Sequence, residues 1–360
     1  MRKGLKIAVV GGGPAGLTAA VILHKLGHQV TVYEADVSHD HRKQGGTLDL
    51  HEDKGQIALR HAGLLDAFRA IARHEDQEAK NVDPVSGEVQ IARPHPGEEL
   101  DRPEIDRGVL RDLLLEALPA ENLVWNARLH DLELHEAAPH RLNFADGHHD
   151  EADLVIGADG AWSKVRKALT PVAPTYTGVT FLEGWIEKPT PAQAELVGRG
   201  SMFAFGGPEA IFAQRNGLGR ICVYAAVKRS QDWLQKQRRS LSWNELLRQT
   251  YADWSPKLLD LLEGCADFID RPIYTLPDDI DWPFRAGVAL IGDAAHVMPP
   301  VGLGVNLAMQ DAADLALAIN STADWKAATE SAEALIRDRA RKYMRDAIPG
   351  FTEWFAEDSE

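Results

Sequence analysis

The stretch KIAVVGGGPAGLTAAVILHKLGHQVTVYE, from Lys6 to Glu34, decides the fold class of this 360-residue chain. Its first apolar run, residues 6–10, is rich in β-branched residues and predicts a buried strand. A glycine-rich turn follows, and apolar residues then recur at the spacing of a helix. The run from Gln29 to Glu34 predicts a second buried strand, which completes a βαβ unit with the usual right-handed crossover. The sequence therefore predicts an α/β fold with a Rossmann-like parallel sheet.

The turn between the first strand and the helix carries a GxGxxG pattern, formed by Gly11, Gly13, Pro14, Ala15 and Gly16. In this pattern the first glycine makes the turn, the second lets backbone approach a pyrophosphate, and the third lets helix and strand pack closely. The helix N-terminus stabilises the phosphate charge. Glu34 ends the second strand, where a carboxylate accepts hydrogen bonds from ribose hydroxyls and disfavours a 2′-phosphate. At this point both FAD and NAD are candidate ligands for the turn.

Two later loops also follow apolar strands. Residues 123–144 and 152–159 predict further strands of the same sheet, and the last of them ends at Asp159. The stretch GDAAHVMPPVGLGVN, Gly292 to Asn306, joins an apolar strand to an apolar helix and contains three glycines and two prolines. These residues constrain the loop more than a simple connection requires. We therefore expect the loop to hold a ligand; the alternative is an ordinary loop in which Asp293 caps the helix.

With these three motifs in this order, the sequence resembles the group A FAD-dependent aromatic hydroxylases, the para-hydroxybenzoate hydroxylase-like family, from Lys6 to about Ile319. Within that family it is most similar to the tetracycline-inactivating flavin monooxygenases. The shared words are QGGTLDLH (44–51), AGLLDAF (62–68), PEIDRGVLRDLLLEAL (103–118) and SKVRK (163–167). The resemblance implies FAD as the cofactor and NADPH, or NADH, as a transient reductant. The sequence has no second GxGxxG that would hold the nicotinamide cofactor in a domain of its own.

The resemblance also implies roles for the third loop. The aspartate of GDAAH would contact the ribityl chain of FAD, and the glycine-rich loop would lie along the isoalloxazine ring, while the loop at Asp159 would serve both FAD and NAD(P)H. Glycine backbone can approach a flat ring closely, and the following helix points its positive end at flavin N1 and the C2 carbonyl. His296 is expected to bond backbone groups rather than act as a base. The loop residues expected at the cofactor are Asp293, Pro299, Pro300, Gly302, Gly304, Val305 and Asn306.

Three more residues receive cofactor roles from the resemblance. Arg111 would contact FAD, and Gly46 and Asp49 would lie near the cofactor or the cavity beside it. For Arg111 the alternative is a helix-surface ion pair with Glu104 or Asp112. For Asp49 the alternative is a solvated turn carboxylate.

The segment between about residues 171 and 283 has a different pattern. Its strands are separated by glycine and proline without strict βα alternation, which predicts an inserted, mainly antiparallel β domain for the substrate. Inside it, Ser242 and Glu245 form a capping-box pattern that opens a helix. The predicted FAD-binding domain comprises residues 1–70, 102–172 and 284–320, and the substrate domain comprises 71–101 and 173–283. Residues 321–360 are expected to form a C-terminal helix that bridges the two domains, with its helical pattern ending at about Ala347.

The predicted strands of the inserted domain contain the candidates for a substrate cavity: Glu183, Phe203, Phe205, Cys222 and Tyr224. Alternate strand positions such as Phe203 and Phe205 share one sheet face and can line an aromatic cavity, although plain core is the alternative. The tetracycline-inactivating enzymes bind their substrate through polar residues at three positions. Different residues, Ser201, Glu183 and Cys222, occupy the matching positions here. The resemblance therefore predicts the type of reaction but does not identify the substrate.

The amino-acid composition limits the classes of binding partner that we expect. The chain has 39 Lys and Arg against 54 Asp and Glu, a formal net charge of -15, which disfavours nucleic acid and anionic membrane surfaces. No run approaches the roughly 20 apolar residues of a membrane span. The two cysteines, Cys222 and Cys265, lie far apart, so the sequence favours a reducing cytoplasm over a disulfide framework. No spaced metal ligands are evident. We expect a monomer, with a dimer as the alternative.

The sequence thus predicts an FAD-dependent monooxygenase that consumes NAD(P)H. By the resemblance, oxygen would pass through a flavin C4a-hydroperoxide to an electron-rich phenol or enol carbon of a small aromatic or polyketide-like molecule. Two alternatives stay open. One is a flavin oxidase or reductase on the same scaffold, and the other is a non-catalytic flavoprotein that sequesters a ligand.

Overall fold

A computed structural model describes residues 4–41, 45–93, 101–136 and 139–356. Gln44 of the QGGTLDLH word, residues 94–100 of the predicted substrate domain and residues 357–360 of the predicted terminal helix lie outside the described residues.

The strands, in chain order, are β1 (Lys6–Val10), β2 (Gln29–Tyr33), β3 (Thr47–Asp49), β4 (Glu78–Val82), β5 (Val89–Arg93), β6 (Glu104–Asp106), β7 (Leu123–Val124), β8 (Leu129–Glu133), β9 (His140–Phe144), β10 (His149–Ala152), β11 (Leu154–Gly157), β12 (Thr175–Ile186), β13 (Gly200–Gly206), β14 (Glu209–Arg215), β15 (Ile221–Lys228), β16 (Phe268–Thr275) and β17 (Val288–Leu290). The helices are α1 (Pro14–Lys25), α2 (Gly55–Ala62), α3 (Leu65–Ile71), α4 (Arg107–Glu116), α5 (Lys164–Leu169), α6 (Pro191–Val197), α7 (Trp233–Gln237), α8 (Trp243–Thr250), α9 (Pro256–Glu263), α10 (Asp293–His296), α11 (Gly304–Ser321) and α12 (Trp325–Trp354).

The βαβ unit at the start of the chain builds a parallel sheet with the strand order β17-β11-β1-β2-β7. Its strands are almost fully buried, as expected for a parallel sheet that is covered on both faces. The carboxyl ends of β1, β11 and β17 are neighbours, so the three loops singled out in the sequence leave the sheet at the same edge. The predicted α/β class with a Rossmann-like parallel sheet is confirmed.

A second sheet is mainly antiparallel and has the order β16-β12-β15-β14-β13-β4-β5. Only the pairing of β4 with β13 is parallel among its described strands. Helices α6, α8 and α9 cover one face, where Leu247, Tyr251 and Leu258 join the apolar core. The capping box predicted at Ser242 and Glu245 is present at the start of α8.

The segment between β7 and β11 differs from the expectation. Strands β8, β9 and β10 form a separate antiparallel sheet, and only β11 joins the parallel one. Every second residue of β9 is buried, which leaves one solvated face. Such alternation is typical of an antiparallel sheet with one solvent-exposed face, whereas the strands of a parallel sheet are buried on both faces.

The long helix α12 connects the two main sheets. It packs on α11 and reaches β17 near its start, while Phe351 and Phe355 at its end join Phe181 and Phe212 of the antiparallel sheet. The helix continues to Trp354, beyond the predicted end near Ala347, and it passes through Pro349. The predicted bridging role of the terminal helix is confirmed. In the described part of the chain, no helix combines the length and apolarity needed to cross a bilayer.

Glu104 gives the fold a pH-dependent contribution to stability. This residue is 8% exposed and accepts a hydrogen bond of 2.5 Å from Thr47 Oγ1. Burial raises the pKa of Glu104 to about 8, although Thr47 and Arg73 oppose the shift. Because the folded pKa exceeds that of the unfolded chain, the contribution is complete below about pH 4.5 and is lost as the pH rises towards 8.

We expect Glu104→Gln to remove this dependence, because the amide oxygen can still accept from Thr47 and carries no charge. Between pH 5 and 8, the free energy of unfolding of the unaltered protein should fall more steeply than that of the variant, by about 1.4 kcal/mol per pH unit. Urea unfolding across this range measures the difference. Glu116→Gln, at an exposed position of α4, is the control. Equal pH slopes for Glu104→Gln and the unaltered protein would contradict the assignment.

Candidate functional site

The loop after β1 is shaped by glycines that contact the loop after β11. Gly11 has φ +107°, and a Cβ there would lie 2.3 Å from the Ala158 carbonyl oxygen. A Cβ on Gly16 would lie 2.0 Å from the Gly11 carbonyl oxygen. At Gly13, by contrast, a Cβ would meet no atom within 4 Å. Gly11 and Gly16 therefore make the turn, whereas Gly13 faces open space at the N-terminus of α1.

Glu34 and Arg111 stabilise the loop after β1 by bonding its backbone at Gly12. Glu34 is 6% exposed and accepts hydrogen bonds from the backbone N–H of Gly12 (2.6 Å) and Asp36 (2.8 Å). Arg111 is 3% exposed and donates to the Gly12 carbonyl at 3.1 Å. Its guanidinium lies 3.7 Å from Glu34 and 3.5 Å from Asp36. Arg111 therefore pairs with neither of the partners considered from the sequence, and its direct contact with FAD stays a prediction.

The loop after β11 is fixed by Asp159 and Arg166. The Asp159 carboxylate accepts from Ser163 Oγ (2.5 Å) and from the backbone N–H of Lys164 (2.6 Å), so it caps α5. Burial raises the pKa of Asp159 despite these bonds. Arg166 is 2% exposed and donates to the carbonyls of Ala294 (2.9 Å) and Asp293 (3.3 Å). Arg166 thus ties the second loop to the third.

The third loop presents the carboxylate of Asp293. Asp293 follows Gly292, which has φ +57°, and begins the single turn α10. Its side chain is exposed, and no donor among the described residues bonds its carboxylate. Desolvation by the surrounding protein nevertheless raises its pKa, with His296, Arg107 and Arg166 opposing. Exposure and desolvation together indicate that the carboxylate lines a recess rather than the outer surface.

The rest of the third loop leads into α11. Pro299 is buried, whereas Pro300 and Gly302 are exposed. A Cβ on Gly302 or Gly304 would meet no atom within 4 Å. Val305 follows in the first turn of α11, which begins at Gly304. The loop therefore leaves room for a ligand where its glycines stand.

Asn306 fastens the third loop to the segment that contains Asp49. Its side-chain amide donates to the Asp49 carbonyl (2.8 Å) and accepts from the His51 N–H (2.8 Å). Asn306 is fully buried, so this link is internal. The Asp49 carboxylate is partly exposed and lies 3.0 Å from His51 Nε2. Asp49 therefore ends β3 with its backbone bonded to α11, and its role at the cofactor stays a prediction.

The cavity candidates share one face of the antiparallel sheet. Phe203, Phe212, Tyr224 and Glu183 stand opposite one another on four neighbouring strands, and cross-strand partners point to the same side. The strand periodicity of two adds Phe205 and Cys222 to that side. The rings of Phe203 and Phe205 are nearly parallel, with centroids 6.5 Å apart.

Gly46 lies against this same face. Its N–H donates to Tyr224 Oη at 3.3 Å, and a Cβ on Gly46 would approach Gln214 Oε1 to 2.8 Å and Cys222 Cβ to 3.5 Å. Glu183 is 3% exposed and accepts from Arg271 Nε at 3.2 Å. The structure therefore brings a predicted cofactor residue, Gly46, into contact with the predicted cavity residues.

His296 differs from the expectation. Its Nε2 bonds the carboxylate of Asp311 rather than backbone groups. Sequence reasoning missed Asp311 and Arg339, which lie behind the third loop, and it named Arg166 in its motif without the link to the third loop. For Asp311 a signal was available, because it stands one turn after the buried Leu307 and one turn before the buried Leu315, on the apolar face of α11.

The site fits a dinucleotide. A Cβ on Gly13, Gly302 or Gly304 would project into open space, and Asp293 is exposed and bonds no donor among the described residues. Backbone N–H groups at the start of α1 suit phosphate, and a carboxylate acceptor suits sugar or ribityl hydroxyls. Fold and site together define the class of proteins that bind a dinucleotide on a Rossmann-like sheet.

Comparison with known proteins gives the family. The chain matches the family described as FAD binding domain over residues 4–344, and it belongs to that family. It is 30% identical over 371 residues to the monooxygenase asqM of Emericella nidulans, with 86% of this chain and 83% of that protein covered. The chain is an FAD-dependent monooxygenase. This result confirms the resemblance to the group A flavin hydroxylases and FAD as the cofactor.

Solved structures show the same fold. HpxO of Klebsiella pneumoniae, complexed with FAD and uric acid, superposes with a TM-score of 0.84 at 24% identity, over 99% of this chain and 90% of that one. The tetracycline destructase Tet(55) superposes with a TM-score of 0.72 at 22% identity, over 99% and 90% of the two chains.

We expect Asp293→Asn to weaken FAD binding about tenfold while leaving the folded protein intact, since its carboxylate supports no described protein bond. An amide keeps the shape but loses the charge-assisted acceptor. Titration of the apoprotein with FAD, followed by flavin fluorescence, measures the change. Asp346→Asn, at an exposed position of α12, is the control. Unchanged FAD affinity in Asp293→Asn would refute a contact with the cofactor.

Proposed function

We propose that this monooxygenase uses NAD(P)H and O2 to hydroxylate an electron-rich aromatic or enolic carbon of a small polyketide-like molecule. The observation that carries the proposal is the contact between Gly46 and the sheet face that bears Tyr224 and Cys222. This contact joins the loops suited to FAD with a face rich in aromatic side chains.

Within the proposal, each loop has one task in binding the cofactor. The turn Gly11–Gly16 holds the pyrophosphate, Glu34 the ribose and Asp293 the ribityl chain. The loop from Pro299 to Gly304 lies along the ring system, and Arg111, Gly46 and Asp49 frame the site. NAD(P)H would supply the two electrons and bound FAD would pass them to O2, while the chain binds and orients the reactants and excludes water.

The substrate lies, in this proposal, between two domains. The FAD-binding domain comprises residues 1–70, 102–172 and 284–320, and the substrate domain comprises 71–101 and 173–283. The half-buried rings of Phe203 and Phe205 offer stacking surfaces, and the Tyr224 hydroxyl offers a polar contact for a phenol or enol oxygen. HpxO is complexed with uric acid, and Tet(55) is named a tetracycline destructase. Both similarities support a small cyclic substrate.

The test is to load the purified protein with FAD and to screen simple phenols, polyketide aromatics and tetracyclines. NADPH and NADH consumption in air is followed, and products are analysed by mass spectrometry. We expect one class of compound to stimulate consumption and to gain one oxygen atom. Loss of two hydrogens without oxygen would favour an oxidase or reductase instead. Tight binding of a compound without any turnover would favour a sequestering protein.

Phe205→Ala gives a matched variant for that screen. If the face lines the cavity, KM for the substrate should rise about tenfold or more, while FAD affinity stays unchanged. Leu335→Ala, an exposed apolar position on α12, is the control. An unchanged KM in Phe205→Ala would exclude this ring from the cavity.

A further inference from the structure

A single buried carboxylate holds both ends of the turn that presents Asp293. Asp311 is fully buried on α11, and its Oδ2 accepts from the Gly292 N–H at 3.1 Å and bonds His296 Nε2. Gly292 precedes the turn α10, and His296 ends it. The carboxylate of Asp293 takes no part in these bonds. The position of Asp293 therefore depends on contacts made behind it.

Asp311 is in turn held by the C-terminal helix. Arg339 of α12 donates to Asp311 Oδ1 at 2.7 Å and to Asp314 Oδ2 at 2.7 Å. Burying a carboxylate is costly unless it is paired and hydrogen-bonded, and Arg339 and His296 supply both. Burial alone would lower the pKa of His296, but Asp311 outweighs it and raises this pKa. Arg339 thus stabilises a charged unit directly beneath the turn.

We propose that Asp311 and Arg339 are positioning residues for FAD: they fix the Gly292–His296 turn from behind and thereby set the place of the Asp293 carboxylate. The inference rests on the proposed contact between Asp293 and the cofactor. It gives α12 an indirect part in cofactor binding, because Arg339 bonds Asp311 and Asp314 rather than a predicted FAD contact.

The test compares Arg339→Met and Asp311→Asn with Arg337→Met. Arg337 is the matched control, because it lies on the same helix and braces it through Asp281 (3.6 Å) and the Trp282 carbonyl (3.2 Å). We expect the dissociation constant of FAD from the apoprotein to rise about tenfold in the first two variants and to stay unchanged in the third. Thermal unfolding of each apoprotein separates these effects from a general loss of stability. Arg339→Lys, which keeps one donor and the charge, should recover part of the affinity.

A double variant distinguishes positioning from simple bracing. In an Asp293→Asn background, Arg339→Met should lower Tm by as much as it does in the unaltered protein. It should have little further effect on FAD affinity. Additive losses of FAD affinity would overturn the inference, as would equal FAD binding by Arg339→Met and the unaltered protein. If Asp293→Asn alone left FAD affinity unchanged, the proposed cofactor contact itself would be wrong. The two failures are therefore distinguishable.

Discussion

Gly13→Val is expected to give a folded protein that retains no FAD. Gly13 has φ -83° and ψ 179°, a conformation open to any residue, and its Cβ position has no atom within 4 Å. The added isopropyl group would fill the space at the N-terminus of α1 where the pyrophosphate is expected. We expect FAD affinity to fall about a hundredfold or more, or roughly 3 kcal/mol. Absorbance near 450 nm and FAD titration of the apoprotein measure the loss.

Two controls make this result specific. Gly16→Ala should destabilise the protein itself, because its Cβ would stand 2.0 Å from the Gly11 carbonyl oxygen. Gly350→Val, in α12, adds the same side chain where no atom lies within 4 Å and should keep both fold and FAD. A yellow Gly13→Val protein with the affinity of the unaltered chain would remove the pyrophosphate from this turn.

The first 34 residues could be interpreted from the sequence because their signals are local. Strand, turn and helix each follow from residues that are neighbours in the chain, and Gly11 and Gly16 make the turn that their spacing indicates. The family resemblance extended this interpretation to loops that are distant in sequence. The resemblance predicted FAD as the cofactor, and the family match confirmed it.

The helix α4 shows where local patterns fail. One interpretation of Arg111 from the sequence was a helix-surface ion pair, yet Arg111 is only 3% exposed. The reason is tertiary, because Arg111 finds the Gly12 carbonyl, Glu34 and Asp36 on other elements. Hydrophobic spacing cannot predict a buried cation whose acceptors lie about 75 to 100 residues away in the chain.

The end of α12 illustrates the same limit. The predicted end of this helix, near Ala347, precedes Pro349, and proline disfavours helical backbone at the residue before it. The helix continues because Phe351 and Phe355 pack against the sheet that contains Phe181. Burying two phenylalanine side chains contributes several kcal/mol, about enough to offset the roughly 3 kcal/mol cost of an internal proline.

Arg166→Met is expected to lower the free energy of unfolding of the apoprotein by about 3 kcal/mol or more. Arg166 is buried, and besides the carbonyls of Asp293 and Ala294 it donates to that of Ala161. Methionine fills a similar volume but leaves these carbonyls without donors, at about 1 to 3 kcal/mol for each buried group. It also removes the positive charge beside Asp159 and Asp293. Urea unfolding measures the loss.

The same substitution should also affect FAD, because Arg166 is the side chain that links the second loop to the carbonyl of Asp293. FAD raises Tm of the unaltered protein by binding only its folded state. In Arg166→Met we expect a smaller rise at the same FAD concentration, since the loops are no longer held together. Lys167→Met, at the exposed neighbouring position of α5, should match the unaltered protein in both measurements. An Arg166→Met protein of full stability and an unchanged rise would show that the two loops keep their places without this guanidinium.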